Sequence, residues 1–196
     1  MTPTTPFTIN VAPQTDLWRK PPSTNSTNAP IVSLTKIPLS QFRSARVSFR
    51  ASWKYRYDQG GLALFLTAPS WAKNKWVKAG VEFYQDRAQM SAVTTDGWSD
   101  WSLAPLKEDD GSKGIATVEA RAEGDELGRG LWIYQILTDS EGKEVGRVPL
   151  RECAWFFAET EGVEIEITAA AARPAEGSGS RDTLEVEFVD VKVETA

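Results

Sequence analysis

Residues 46–58, RVSFRASWKYRYD, alternate without a break. Val47, Phe49, Ala51, Trp53, Tyr55 and Tyr57 fall on one side, and Arg46, Ser48, Arg50, Ser52, Lys54 and Arg56 on the other. Successive side chains of a strand point to opposite faces, so a period of two is a strand with one apolar and one polar face. Such a strand must bury its apolar face against another layer. The next residues, DQGG, read as a glycine turn, and LALFL as the returning strand, which predicts a hairpin.

The pattern recurs along the chain. In WVKAGVEFYQD, Val77, Ala79, Val81 and Phe83 share one face while Trp76, Lys78, Gly80, Glu82 and Tyr84 share the other. AQMSAVTTD follows a turn at Asp86-Arg87, and further strands are predicted at GIATVEARAE, LWIYQILTD, PLRECAWFFA, VEIEITAAA and DTLEVEFVDVKVE. In the last of these the apolar set changes parity between Phe188 and Val189, the mark of a β-bulge. No helical period, heptad or internal repeat interrupts this, so roughly ten strands are expected to close into an antiparallel two-sheet sandwich, an all-β fold.

At 196 residues the chain is expected to form one β-sandwich domain, 1–196. Residues 1–30 are rich in Pro, Thr, Asn and Ser, yet they carry Phe7, Ile9, Leu17 and Trp18, and are read as an extended arm anchored on the sandwich. The opening MTPTTPFTIN lacks the basic and apolar regions of a signal peptide, and the one cysteine, Cys153, has no disulfide partner in the chain. These features point to the cytoplasm. No apolar run approaches the roughly 18 residues of a membrane span. A net charge of −5 offers nucleic acid no general attraction. The excess of Lys and Arg before residue 100, and of acids after it, is read as basic and acidic strands lying side by side.

Histidine is absent, which removes the commonest general base, the Ser-His and Cys-His nucleophile pairs and the most frequent zinc ligand. No metal or cofactor site is expected. DQGGLAL and GRGLW lack the phosphate-cradling glycine patterns. Cys153, in an apolar run, reads as a buried structural thiol. Glu164 with Glu166, and Glu185 with Glu187, project from single strands about 7 Å apart, but glutamates on a sheet face are ordinarily paired with Lys or Arg, here from Arg46, Arg50, Lys54 and Arg56. Glu82 differs, because an amine and aromatics share its face. Eight tryptophans suit both a core and a ligand platform. Trp53 and Trp155 are assigned to the core. In DGWSDWS, Trp98 and Trp101 stand three apart and point opposite ways on an extended chain. Trp101 is expected in the core and Trp98 at the rim of a site.

WKYRYDQGGLALFL, WVKAGVEFYQD, SAVTTDGWSDWSLAPL, LWIYQI and PLRECAWFF, in this order, resemble the DUF1349 family, also called the regulation of enolase protein family. The resemblance runs from about Phe7, through TDLWRKPP, to LEVEFVDVKVE. It implies a concanavalin A-like jelly-roll sandwich and little about chemistry, because one fold hosts many functions. The E-x-D-x-E strand of laminarinase-like hydrolases is missing, since EIEIT and EVEFV carry two acids each.

The leading expectation is non-hydrolytic binding of a carbohydrate or similar small molecule on the concave sheet face. Asp58, Gln59, Lys78, Glu82 and Asp100 would hydrogen-bond it, Trp76, Trp98 and Trp101 would line or stack on it, and Arg151 would assist. The alternatives are an enzyme, a glycosidase or an isomerase or cyclase, using Glu82 or Asp58 as acid or base, and a regulatory module that binds another protein. The oligomeric state is left open.

Overall fold

The computed structural model describes residues 4–107, 114–176 and 182–196. In chain order its strands are β1 (Phe7–Val11), β2 (Leu17–Lys20), β3 (Thr24–Thr27), β4 (Ile31–Pro38), β5 (Phe42–Ala51), β6 (Gln59–Thr67) and β7 (Lys75–Tyr84). They continue as β8 (Arg87–Thr95), β9 (Ser99–Pro105), β10 (Ala116–Asp125), β11 (Gly128–Thr138), β12 (Glu144–Cys153), β13 (Glu164–Ala172) and β14 (Leu184–Thr195). The described helical turns are two short 3-10 segments, at Leu39–Gln41 and Ala154–Phe157.

The strands form two six-stranded antiparallel sheets and a small ribbon. The first sheet runs β1-β14-β5-β10-β11-β12, the second β4-β13-β6-β7-β8-β9, and β2 pairs with β3 alone. This is a two-sheet antiparallel jelly-roll sandwich. Alternation selects the core as the sequence pattern requires. Val47 and Phe49 of β5, Leu62, Leu64 and Leu66 of β6, and Val77, Ala79 and Val81 of β7 meet in one buried cluster between the sheets.

The predicted hairpin at DQGG does not form. β5 pairs with β14 and β10 in the first sheet, whereas β6 pairs with β13 and β7 in the second, so residues 52–58 cross between layers. The glycines lie inside β6 rather than in a turn, because two backbones meet there. A Cβ on Gly61, whose φ is +153°, would lie 2.2 Å from the Ala79 carbonyl oxygen, and one on Gly80 would lie 2.0 Å from that of Gly60. The turn before β8 does form, with Gln85 and Asp86 at positive φ (53° and 58°), the geometry of a type I′ hairpin. The bulge near Phe188 is also present, as a register shift between Phe188 and Asp190 against β5.

The arm is tied down at both ends. β1 extends the first sheet beside β14, with Phe7 stacked on Phe188 at 5.2 Å and Ile9 and Val11 in the core. The β2-β3 ribbon lies instead over the outer face of the second sheet, where Leu17 packs against Ala63, Trp76 and Val93. Arg19, buried, fastens the ribbon: its guanidinium donates to Asn25 and to the carbonyls of Asn74 and Asp96, and its backbone N–H donates to Ser99. Cross-strand ion pairs cover the opposite face of the molecule as charge patterning predicts. Arg46 meets Glu119 and Glu144, and Arg50 meets Glu187.

Candidate functional site

The outer face of the second sheet carries what the core-facing residues leave over. Register aligns Gln59 with Glu82 and Gln89, Gly61 with Gly80 and Ser91, and Ala63 with Lys78, Val93 and Trp101. Where the ribbon crosses this face it leaves a cleft of about 300 Å³ lined by Asp16, Trp18, Tyr57, Gln59, Lys78, Glu82, Trp101 and Pro174. Its floor comes from the sheet and its near wall from the arm.

Lys78 and Glu82 stand on one face of β7, four residues apart, and form no ion pair with each other within 4 Å among the described residues. Lys78 Nζ donates to Gln59 Oε1 at 2.5 Å and lies 3.6 Å from Asp16 Oδ1. The rings of Trp18 and Trp76 flank it, each 6.0 Å away. Burial pushes its pKa below the ordinary lysine value, against the opposing pull of Asp16 and Glu82. Glu82 moves the other way: burial raises its pKa, while Lys78 and the Ser91 hydroxyl work to lower it. Both shifts have one cause, the scarcity of water beneath the ribbon.

The Glu82 carboxylate is held on one side only. Ser91 Oγ and Trp101 Nε1 donate to Oε2 at 2.8 and 3.1 Å, and Trp101 also reaches Ser91 Oγ at 3.2 Å. Trp101 is itself locked. Tyr57 and Tyr84 stack at 5.6 Å, and the indole meets both edge-on, at 6.1 and 5.4 Å. Tyr57 sits at φ 70°, its N–H donating to the Phe83 carbonyl at 2.7 Å, so its ring is fixed beside the strand. The result is a rigid aromatic wall against a polar floor, with one carboxylate oxygen of Glu82 accepting no protein hydrogen bond among the described residues.

The sequence pattern of the DUF1349 family, described as proteins of unknown function, matches residues 2–196. The chain belongs to the DUF1349 family. An uncharacterized protein of Emericella nidulans is 43% identical over 188 residues, covering 96% of this chain and 86% of that protein. Regulation of enolase protein 1 of Saccharomyces cerevisiae is 36% identical over 61 residues, 31% of this chain and 28% of that one. A functionally unknown Saccharomyces cerevisiae protein of known crystal structure superposes with a TM-score of 0.70 at 21% identity, covering 100% of this chain and 94% of the other. That likeness shows a shared fold.

In this DUF1349 chain the cleft brings together four of the residues singled out from sequence: Gln59, Lys78, Glu82 and Trp101. Trp101 was expected in the sandwich core, but it faces outward, because it is opposite Val93 in the register of the outer face. Trp98 is 58% exposed in the turn between β8 and β9 and does not line the cleft. Trp76 is buried beneath the ribbon with Leu17, and its Nε1 has no hydrogen-bond partner among the described residues. Asp58 is fully buried and held by Arg173 and by the N–H groups of Lys54 and Tyr55. Asp100 and Arg151 pair at 2.5 Å on the rim where β9 faces β12, and Arg151 also donates to Ser102. Asp16, Ser91 and Pro174 went unremarked in the sequence, and Tyr57 was read only as part of the apolar face of a strand that ends earlier, at Ala51. The arm was expected to be anchored through Phe7, Ile9, Leu17 and Trp18, and of these Trp18 lines the cleft.

Elsewhere, Glu164 pairs with Lys36 at 2.7 Å. Among the described residues no helix is long and apolar enough to cross a membrane.

Proposed function

We propose that the cleft between the arm and the second sheet binds a carbohydrate or a similarly small polar molecule without hydrolysing it. One observation carries this reading: an aromatic wall of Trp18, Tyr57 and Trp101 faces the hydrogen-bonding groups of Gln59, Lys78, Glu82 and Asp16 within about 300 Å³. A pocket of that size falls at the small end of ligand sites, which combine mostly apolar walls with a few placed polar groups. Indole and phenol rings would cover the apolar C–H face of a sugar or any flat ring, and the donors and acceptors would take its hydroxyls. Asp58 has no part in this reading, because Arg173 occupies both of its oxygens.

Intrinsic tryptophan fluorescence and thermal stability, screened against sugars and polar metabolites, test it. Trp18 and Trp101 line the cleft, so a ligand is expected to change emission and raise the melting temperature together. A library that moves neither quantity would overturn the reading. The opposite pKa shifts of Lys78 and Glu82 favour a second reading, an enzyme with Glu82 as acid or base. Under it, Glu82→Gln abolishes turnover of a substrate that the native protein converts.

A further inference from the structure

We propose that Lys78 is a nucleophilic amine that condenses with the carbonyl group of an aldehyde or ketone ligand, forming a Schiff base in the cleft. The inference rests on the cleft being a ligand site and names the substrate class it would take: small carbonyl compounds, open-chain sugars among them.

The geometry of β7 is the ground for it. Lys78 keeps only 12% of its side chain exposed, and that part opens on the cleft. Its surroundings are two indoles and the small residues of the strand crossing, not a ring of carboxylates; its one ion pair among the described residues is the 3.6 Å contact with Asp16. Gln59 Oε1, as an acceptor, takes one N–H, and Lys78 lines the cavity. Burial that favours the uncharged amine is how proteins make lysine a nucleophile. Lys78 and Glu82 both line the cleft and form no ion pair with each other within 4 Å among the described residues, so a carbonyl ligand held there can meet both.

Glu82 completes the chemistry. Its pKa is raised by burial, and its Oε1 accepts no protein hydrogen bond among the described residues, so a proton there has access to the cleft. The lone pair of the Lys78 amine attacks the carbonyl carbon, a C–N bond forms, and one ammonium proton passes to the alkoxide to give a neutral carbinolamine. Glu82 then protonates the hydroxyl, water leaves with the C–O bond electrons, and the nitrogen lone pair closes the C=N bond. The products are a protonated imine on Lys78, a Glu82 carboxylate and one water. No oxidant or further reactant is needed, and the new cation and anion face each other across the cleft.

Glycolaldehyde with sodium cyanoborohydride tests this on the intact protein, since the hydride reduces imines to stable secondary amines that peptide mass spectrometry locates. Lys78 is expected to be labelled at least about tenfold faster than the exposed Lys192 near neutral pH, because burial in the cleft favours its uncharged, reactive form. The labelling rate at Lys78 should also level off below the pH range of an ordinary lysine. Glu82→Gln should slow labelling of Lys78 about tenfold or more while leaving Lys192 unchanged. Equal rates at Lys78 and Lys192 in the native protein would overturn the proposal whatever the variants do, and an unchanged Lys78 rate in Glu82→Gln would overturn the acid role. Sugar alcohols separate this idea from the binding reading. If they quench tryptophan fluorescence and no adduct forms at Lys78, the cleft binds and the Schiff base falls. An adduct at Lys78 without any response to sugars or sugar alcohols supports the amine chemistry and removes the carbohydrate reading.

Discussion

Arg173 and Asp58 lie 115 positions apart, and the guanidinium of the first donates to both carboxylate oxygens of the second, at 2.8 and 2.7 Å. Both side chains are buried, and the arrangement joins the end of β13 to the start of β6. Arg173 also reaches Asp182, whose carboxylate accepts from the Tyr55 hydroxyl, and it lies 4.8 Å over the Tyr55 ring. A buried pair of this kind contributes modestly when intact and costs heavily when halved, because the survivor is left charged and unsolvated. Asp58→Ala is therefore expected to lower unfolding free energy by about 3–5 kcal/mol in urea titrations, and Asp58→Ala with Arg173→Met to recover part of that loss. A loss under about 1 kcal/mol would mean that water enters the pair and supports it.

Glu82 makes stability depend on pH in a known direction. Its folded pKa lies above the ordinary 4.5, so the folded state holds the proton more tightly than the unfolded chain. The associated stabilisation is fully present below the unfolded value and is lost as pH rises through the folded one. In the Glu82→Gln variant that loss disappears. The melting temperature of the variant minus that of the native protein should therefore climb as pH rises from 4.5 toward neutrality. A flat or falling difference would contradict the assignment.

The two tryptophans of DGWSDWS should separate cleanly. Trp98 projects from a turn away from the cleft, and Trp101 lies in the aromatic wall with its indole N–H on Glu82. Trp98→Ala is expected to leave ligand affinity unchanged in isothermal titration. Trp101→Ala should weaken it about tenfold, about 1.4 kcal/mol, through loss of ring contact. Trp101→Phe keeps an aromatic ring but removes the indole N–H: since that bond lowers the Glu82 pKa, its removal should drive the carboxyl further up.

Cys153 should be silent in the native protein. It is buried in the core cluster, and burial pushes its thiol up to about 12, far from the thiolate that reacts with disulfide reagents. Ellman's reagent at pH 8 is expected to modify it only as fast as the chain opens, with a rate that rises with urea. Immediate stoichiometric reaction without denaturant would place the thiol at the surface.

Much of this site was written in strand parity. Once β7 is a strand, Val77, Ala79 and Val81 must oppose Lys78, Gly80 and Glu82, and no tertiary contact can change that. The bulge near Phe188 was legible for the same reason, since an inserted residue reverses parity. The hairpin at DQGG was misread because a glycine pair in sequence serves a turn and a close backbone crossing equally well. Local chemistry does not say which partner a strand will take, and β5 finds β14 from the far end of the chain.

The sequence by itself determined the all-β class, the faces of the strands and the placing of Lys78 and Glu82 on one side of β7. The tertiary structure alone decided that this side lines a cleft. Ordinarily the face away from the core is solvated, and a tryptophan on it signals little. Here the ribbon covers that face, so Trp76 and Val93 are buried on it and Trp101 belongs to a wall rather than to the core. Covering also removes water from Lys78 and Glu82, which shifts both pKa values, and it brings in Asp16 and Trp18 from about sixty residues upstream. Periodicity reports which side chains share a face; only the folded arm determines what that face meets.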